Sequence, residues 1–219
     1  MKNFRPFNPL EPVRIYRRSM PHWRQEGATY FVTFRQADSV PKVVLDEWKH
    51  QRLLWLETHG LEGSLSDDEW VEKYQRIGSV ERRAFERAQA KLLHVELDRH
   101  HGSCVLRDAE SANIVADAFR HFDGERFECG DFVVMPNHVH WLVRPFPGFE
   151  LEEILQSVKR FTATRINAAQ GKTGDALWQK ESFDHLVRDE EELERTKVYI
   201  KDNPQKAKLS EGSYVWFSP

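Results

Sequence analysis

The segment FVVMPNHVHWLV, residues 132–143, constrains the fold of this chain more than any other. Phe132 to Met135 and His138 to Val143 are rich in β-branched and aromatic residues, as strands usually are. Pro136 and Asn137, which lie between them, are turn-forming residues. The segment therefore predicts a β-hairpin in the middle of the chain.

The sequence on either side of this hairpin predicts a small domain of strands and helices. We expect a strand at 29–35, helices at 109–122 and 151–168, a strand at 178–187, and a helix from 190 to about 202 that Pro204 ends. The order strand, helix, strand, strand, helix, strand is that of the ferredoxin-like split βαβ fold. The predicted class is therefore α+β: an antiparallel sheet with helices on one face and one additional helix at the end.

One stretch of the chain does not fit this alternation. Residues of about 42–97 carry apolar side chains at helical spacing and break near Gly60–Ser66 and at Gly78. We interpret the stretch as an inserted arm of two or three helices. A basic leader, residues 1–26, precedes the first strand, and 219 residues fit one domain, 1–219, with such an insertion.

Charge is distributed unevenly along the chain, although its net value is only −3. A value this close to neutral disfavours a nucleic-acid partner slightly, but local clusters matter more than the sum. Two basic clusters are candidate phosphate contacts, and each could equally be solvated surface: Arg14, Arg17 and Arg18 in the leader, and Lys159, Arg160 and Arg165 on the helix after the hairpin.

The remaining composition points to an ordinary globular protein. Cys104 and Cys129 lack CxxC spacing, so we expect two idle thiols in a reducing compartment rather than a zinc site. The first residues have no apolar core typical of a signal peptide, and no apolar run is long enough to cross a membrane. We therefore expect a cytoplasmic protein without a membrane partner.

His138 and His140 form the most specific chemical motif. Alternate residues of a strand point to one face, about 6.6 Å apart along the backbone, so the two imidazoles can converge on one metal ion. A His-x-His pair can also be a surface accident, and spacing alone leaves both readings open.

A second candidate pair is Tyr199 and Asn203, four residues apart on the last predicted helix. This spacing places them on one helix face. A tyrosine can act as a covalent nucleophile and an asparagine oxygen can bind a hard cation. Equally, Tyr199 could be a core aromatic residue and Asn203 a helix cap.

Taken together, the motifs resemble a known family. The His-hydrophobe-His signature followed by one tyrosine on a late helix is similar to the single-tyrosine HUH transposases, and closest to REP-associated tyrosine transposases. The resemblance extends in order over nearly the whole chain, and most loosely over the arm. It rests on these segments: PHWRQEGATYFVTFR (21–35), FDGERFECGDFVVMPNHVHWLVRP (122–145), SVKRFTATRIN (157–167), LWQKESFDHLVRDEEEL (177–193) and YIKDNPQKAKL (199–209).

This resemblance implies a function and roles for the candidate residues. It implies Mg²⁺- or Mn²⁺-dependent cleavage of single-stranded, hairpin-forming repeat DNA through a 5′-phosphotyrosine. In it, His138, His140 and Asn203 would hold the metal and Tyr199 would be the nucleophile. It also implies a bacterial, nucleoid-associated protein with no small-molecule substrate, which we expect to be a monomer, with a dimer as the alternative. One departure is Lys208, where relatives usually carry the glycine that eases a helix exit.

Two other functions remain as alternatives. A non-catalytic DNA-binding regulator could retain the fold without the transfer step. A replication-initiator or relaxase-type nuclease is also conceivable, although it usually has two tyrosines or a nucleophile that precedes the histidine pair.

We assign no metal or catalytic role to the other histidines, which show no convergent spacing. Five of them are expected to be structural or exposed: His22, His94, His100, His101 and His185. Trp23 and Trp178 are candidates for stacking on unpaired bases, with a core position as the alternative.

Overall fold

The computed structural model describes residues 4–18, 21–172 and 174–219 of the chain. Its strands are β1 (Arg14–Arg17), β2 (Pro21–Arg24), β3 (Tyr30–Arg35), β4 (Phe127–Val134), β5 (His138–Pro145), β6 (Phe183–Leu186) and β7 (Val215–Phe217). Its α-helices are α1 (Lys42–Thr58), α2 (Asp67–Arg76), α3 (Ser79–Leu97), α4 (Ala109–His121), α5 (Leu151–Ala169) and α6 (Glu190–Lys206).

Five of the strands form one antiparallel sheet in the order β6-β3-β5-β4-β7. Its first four strands, with α4 leading into β4 and α5 into β6, reproduce the split βαβ arrangement. The predicted ferredoxin-like α+β fold is thus confirmed. The short strand β7 extends the sheet beside β4, and its three residues were too few to predict.

The sheet is buried on both faces. Val32 and Phe34 face the larger core, which α4 and α5 complete. Phe31 points the other way, into a smaller cluster that includes Leu193 and Ile200 of α6. Because side chains alternate along a strand, β3 serves both cores. The two crossover helices share one face as predicted, and the additional helix α6 covers the opposite face.

The inserted stretch is helical, as predicted. Three helices, α1 to α3, connect β3 to η1 (Val105–Arg107), a 3₁₀ turn that leads into α4. α2 begins with a capping box in which Ser66 and Glu69 satisfy each other's backbone N–H groups. The arm has its own small core around Leu61, Trp70 and Tyr74.

The leader contains a feature that the sequence did not predict: β1 and β2 form an antiparallel hairpin. β2 fastens this hairpin to the main sheet through the buried carboxylate of Asp184 on β6. His22 Nδ1 lies 2.6 Å from Asp184 Oδ1, and the Arg24 guanidinium pairs with the other oxygen. Burial raises the pKa of Asp184, but the hydrogen bond to His22 and the charge of Arg24 outweigh it and lower that pKa to about 2.

Two predicted boundaries were wrong. Pro204 does not end α6, which continues to Lys206. In the last turn, a proline removes only one helical hydrogen bond, so the cost of continuing for two residues is small. The strand predicted at 178–187 is restricted to Phe183–Leu186, and Trp178 makes only an isolated bridge to Gln36.

The end of α6 contains the turn for which relatives usually carry a glycine at the position of Lys208. Lys208 has a φ of +54°, the left-handed region that glycine occupies without strain. The backbone thus retains the turn although the residue is a lysine. Among the described residues, no helix is both long enough and apolar enough to cross a membrane.

Candidate active site

His138 and His140 lie on the central strand β5, on the sheet face opposite α4 and α5. Thr33 of β3 is paired with His140, and Arg35 with His138. Both imidazoles are fully buried. The strand alternation that puts Val139 and Trp141 into the larger core places the two histidines together on the other side.

Hydrogen bonds on the far side of each ring orient the pair. His138 Nδ1 lies 2.8 Å from Asn137 Oδ1, and His140 Nδ1 lies 2.7 Å from Thr33 Oγ1. The amide oxygen of Asn137 can only accept, so His138 Nδ1 donates and its Nε2 keeps a lone pair. Burial, with a smaller contribution from neighbouring imidazoles, lowers the pKa of both rings well below the usual value. Both rings are therefore neutral and able to bind a metal.

The spacing of the two Nε2 atoms fits a shared divalent ion. They are 3.1 Å apart. Two nitrogens that are each about 2.1 Å from one ion would be about 3.0 Å apart at a right angle and about 3.4 Å apart at a tetrahedral angle. Within the described part of the chain, no three His, Cys, Asp or Glu side chains form a metal-holding group. Other oxygen donors, such as an amide side chain, are therefore the candidates for a further ligand from the described residues.

Tyr199 of α6 reaches the same point. Its hydroxyl lies 3.3 Å from His140 Nε2, the nitrogen that faces the other imidazole. Phe31 contacts the phenol ring edge-on, with 5.9 Å between ring centroids. Burial and the nearby charge of Asp98 raise the pKa of Tyr199 well above its usual value. The phenol is thus protonated at neutral pH.

Asn203, one helical turn after Tyr199, has an unusual environment. Its side chain is 1% exposed, yet neither Oδ1 nor Nδ2 makes a hydrogen bond of standard geometry to a described residue. A weaker side-chain hydrogen bond with the Tyr199 phenol lowers the pKa of that group, although burial dominates. An unsatisfied buried amide is costly unless a ligand completes it. The donor set of two imidazoles and one amide oxygen fits Mn²⁺, or Mg²⁺ with additional waters.

His94 belongs to this site, and our expectation that it is merely structural or exposed was incomplete. Its ring stacks on Tyr199, with 5.4 Å between centroids, and meets His140 edge-on at 5.1 Å. Its Nε2 is buried without a hydrogen-bond partner in the described residues. No sequence pattern marks this position, because His94 lies in the arm, 44 residues before His138 in the chain. Only the packing of α3 against the sheet brings it there.

The other histidines lie elsewhere or at the margin. His22, His101 and His185 each pair with a carboxylate, of Asp184, Glu96 and Glu192 respectively. His100 has a φ of +53° and a buried Nε2 without a described partner, and burial lowers its pKa. None of these four has a ring contact or hydrogen bond with Tyr199 in the described structure.

The six predicted DNA-binding residues form a dispersed surface. Arg14, Arg18, Arg160 and Arg165 are exposed, and Arg14 pairs with Glu150 at 2.9 Å. Arg17 donates to the backbone oxygen of Leu65 in the arm. Lys159 is partly buried and donates to Ser182 Oγ at 2.9 Å. Burial, and then the charges of Arg35 and Arg18, lower the pKa of Lys159 to about 8. Arg35 and Arg18 therefore lie close enough to Lys159 for their charges to repel it, and the charge of Glu181 offsets part of that repulsion.

The two tryptophans differ. Trp178 is 8% exposed and its Nε1 donates to Thr162 Oγ1 at 2.8 Å, so it is a core residue, as the alternative had it. Trp23 is half-buried, beneath the guanidinium of Arg82, and borders the space between the arm and the sheet.

Comparison with known proteins agrees with the sequence resemblance. Residues 107–203 match the family model described as IS200-like transposase. The matched segment is slightly less than half of the chain and includes both histidines of the pair, Tyr199 and Asn203. The resemblance to the IS200-like, single-tyrosine transposases is thus confirmed over that segment. No curated protein matches the sequence significantly.

One solved structure is also similar: a REP-associated tyrosine transposase bound to a REP hairpin. It is 14% identical, and the alignment covers 88% of this chain and 77% of that chain, with a TM-score of 0.44. A likeness this distant adds no weight to the assignment of individual residues.

Proposed function

We propose that this chain is a transposase that cuts and rejoins single-stranded DNA, with Tyr199 as nucleophile and a divalent metal held by His138, His140 and Asn203. One observation carries the proposal: the Tyr199 hydroxyl lies 3.3 Å from His140 Nε2, which itself faces His138 Nε2 at 3.1 Å. A single phosphate could therefore contact both the phenol and an ion between the imidazoles. The match of residues 107–203 to IS200-like transposases supports the reaction class.

The residues present would supply most of the positioning. Asn137 and Thr33 fix the two imidazoles, so their lone pairs are oriented before substrate arrives. Asn203 would contribute a neutral oxygen, so the full charge of the ion would remain available to the substrate. A bound Mg²⁺ or Mn²⁺ would withdraw charge from a non-bridging phosphate oxygen and orient the phosphorus for in-line attack.

Tyr199 would then carry out the covalent step. The phenol releases its proton to solvent, its oxygen bonds to phosphorus, and the bond to the 3′ oxygen breaks, after which that oxygen takes up a proton from solvent. The strand upstream leaves with a 3′-hydroxyl, and the strand downstream remains on the protein as a 5′-phosphotyrosine. Attack by another 3′-hydroxyl reverses the step, so strands are rejoined without an external energy source.

The proposed substrate is hairpin-forming repeat DNA with unpaired flanks. The sequence resemblance supports this choice, and so does the proximity of the three cations Lys159, Arg35 and Arg18. Arg14, Arg17, Arg160 and Arg165 are the remaining candidate phosphate contacts. All groups proposed for the chemistry come from one chain, which supports action as a monomer.

The covalent intermediate provides the test. Wild-type protein is incubated with Mn²⁺ and a pool of labelled hairpins that carry randomised single-stranded flanks, and is then denatured. We expect a labelled protein band that withstands denaturation, disappears in Tyr199→Phe, and persists in Tyr214→Phe. The Tyr214 phenol makes no hydrogen bond to the histidine pair in the described structure, so the second variant is a matched loss of one hydroxyl.

Metal dependence is tested in the same assay. Chelation should abolish the band and Mn²⁺ or Mg²⁺ should restore it, whereas His138→Ala and His140→Ala should not respond. If the wild type binds the hairpins but forms no adduct under any of these conditions, the chain is a DNA-binding regulator and the catalytic proposal is wrong.

A further inference from the structure

A cavity of about 710 Å³ lies between the helical arm and the edge of the main sheet. Side chains of α1 and α3 form one wall, and β6 with the end of β3 forms the other. At its inner end it is lined by Phe31 and His94, whose rings both contact Tyr199. Tyr199 itself does not line this cavity and borders a separate depression with Val198 and Lys206, so the rings of Phe31 and His94 lie between the cavity and the proposed nucleophile.

Its wall carries more positive than negative charge that is available to a ligand. Three of its carboxylates already have partners: Glu86 pairs with Arg188, Asp184 with Arg24 and Glu192 with His185. The charge of Glu181 acts on Arg52. In contrast, no ion pair with a described carboxylate is formed by four basic residues of the lining: Arg35, Lys49, Arg83 and Arg87.

Arg35 is the most informative of these residues. It is 9% exposed, and its one described side-chain hydrogen bond is a long one, 3.4 Å, to Ser39 Oγ. Burial lowers its pKa, and no described carboxylate forms an ion pair with it. Burying a cation without a partner is expensive unless a ligand supplies the missing anion. The Arg35 guanidinium is therefore a candidate for binding an anionic ligand.

The position of Arg35 identifies the anion. It is the β-sheet partner of His138, and it points to the same face as Thr33, whose hydroxyl bonds to His140. Adjacent strands are about 4.8 Å apart, so the backbone of Arg35 lies one strand away from that of His138 at the proposed metal site. A phosphate held there would be a neighbour of the one that Tyr199 attacks.

Aromatic side chains complete the lining. Trp48 of α1 is half-buried in the wall, and Phe183 meets His94 edge-on at 5.9 Å. Cations that follow a backbone, interspersed with aromatic rings on which bases stack, are the usual means of holding an unpaired strand. A paired duplex offers no exposed base faces to such rings.

We propose that this cavity holds the unpaired DNA next to the cleaved bond, with Arg35 binding a backbone phosphate and Trp48 and Phe183 stacking on bases. The inference rests on the proposed function, to which it adds the path of the strand and a role for the arm. It also assigns a ligand to a buried arginine that the described protein residues leave uncompensated.

The test uses the full chain with Tyr199→Phe, which removes cleavage, and two fluorescent DNA probes. One probe is a bare hairpin, and the other carries an unpaired flank of about eight nucleotides. The measured quantity is the gain in affinity that the flank provides. Arg35→Gln should reduce this gain about tenfold or more, the usual value of one hydrogen bond to a charged group. It should also lower the slope of log affinity against log salt by about 0.7.

Two controls keep the result specific. Arg76→Gln removes the same charge from an exposed site on α2 outside the cavity, and should leave the flank's gain unchanged. The melting temperature of DNA-free Arg35→Gln should not fall, because the substitution removes an uncompensated buried charge. A lost flank effect in a protein that remains folded is then a binding defect.

The outcomes separate this proposal from the catalytic one. If protein that retains Tyr199 forms no adduct, yet the affinity gained from the unpaired flank depends on Arg35, the proposed strand path is supported and the transfer chemistry is wrong. If the adduct forms but Arg35→Gln keeps the full gain in affinity from the flank, the strand path is wrong and the chemistry is supported. Equal binding of both probes by the reference protein also overturns the strand path.

Discussion

Replacing Asn203 by leucine should make the metal-free protein more stable while removing part of its response to metal. The carboxamide is 1% exposed, neither polar atom makes a hydrogen bond of standard geometry to a described residue, and its polar contact with the Tyr199 phenol is a weak one. Leucine has a similar size and shape and carries no polar atom. The substitution therefore removes an unsatisfied group without opening a large cavity.

The expected size follows from the cost of a buried polar group that lacks a partner. That cost is about 1–3 kcal/mol. A stabilisation of about 2 kcal/mol would raise the melting temperature of a chain of this length by roughly 4–8 °C. Mn²⁺ should stabilise the wild type more than the variant. An ion at about 100 times its dissociation constant stabilises the folded protein that binds it by about 2.7 kcal/mol. Asn203→Leu should lose much of this metal-induced stabilisation.

Thermal unfolding of both proteins, with chelator and with Mn²⁺, measures the two effects. Asn167→Leu is the matched control, because Asn167 is also buried but its Nδ2 donates to the Asp175 oxygen at 2.6 Å. That variant should be less stable than wild type and should respond to Mn²⁺ as wild type does. Lower stability of metal-free Asn203→Leu, or an undiminished Mn²⁺ response, would refute the reasoning, since the amide would then be satisfied within the protein.

Three further outcomes are expected. Asp184→Asn should lower the free energy of unfolding by about 2 kcal/mol at pH 7, which corresponds to the difference between the ordinary carboxyl pKa and about 2. Because the folded pKa is depressed, this stabilisation is complete above about pH 4 and is lost as pH falls towards 2. Urea unfolding at several pH values should show this loss in the wild type and not in the variant. Lys208→Gly should raise stability by about 1 kcal/mol in the same assay, because glycine adopts a positive φ without the steric cost that lysine bears; no gain would mean that lysine is unstrained there. His94→Ala should slow adduct formation at saturating DNA about 2- to 10-fold, which corresponds to the loss of one aromatic contact with Tyr199. His94→Phe keeps an aromatic ring and should remain near the wild-type rate. Equal rates for all three proteins would exclude a positioning role for His94.

The sheet and its crossover helices could be predicted because their signals are local. β4 and β5 are continuous β-rich runs on either side of a turn, and α4 and α5 show apolar residues at helical spacing. The hairpin of β1 and β2 was missed because its residues are mostly basic and polar, and its burial comes from Asp184 of β6, about 160 positions later in the chain.

Four residues of the candidate site could be predicted from the sequence for a similar reason. His138 and His140 share a strand and Tyr199 and Asn203 share a helix, so each pair is fixed by local geometry. The structure adds that the two pairs meet. His94 could not be predicted, because its position depends on how the arm folds back over the sheet. Nor could the isolation of Arg35, since the absence of a neighbouring carboxylate is a property of the whole packed molecule.

The place where the arm is inserted gives both residues their position. The chain leaves β3 immediately after Arg35, beside the histidine pair, and turns into α1; it returns through α3, whose last turns carry His94 onto the Tyr199 ring. Both ends of the insertion therefore lie at the proposed catalytic edge of the sheet. The hydrogen bonds of β3 to β5 and β6 do not involve the arm, so its length and surface can change without altering the sheet that holds the histidines. If the cavity holds the unpaired strand as we propose, changes in the arm away from His94 should alter which strand is bound and leave the histidine pair in place.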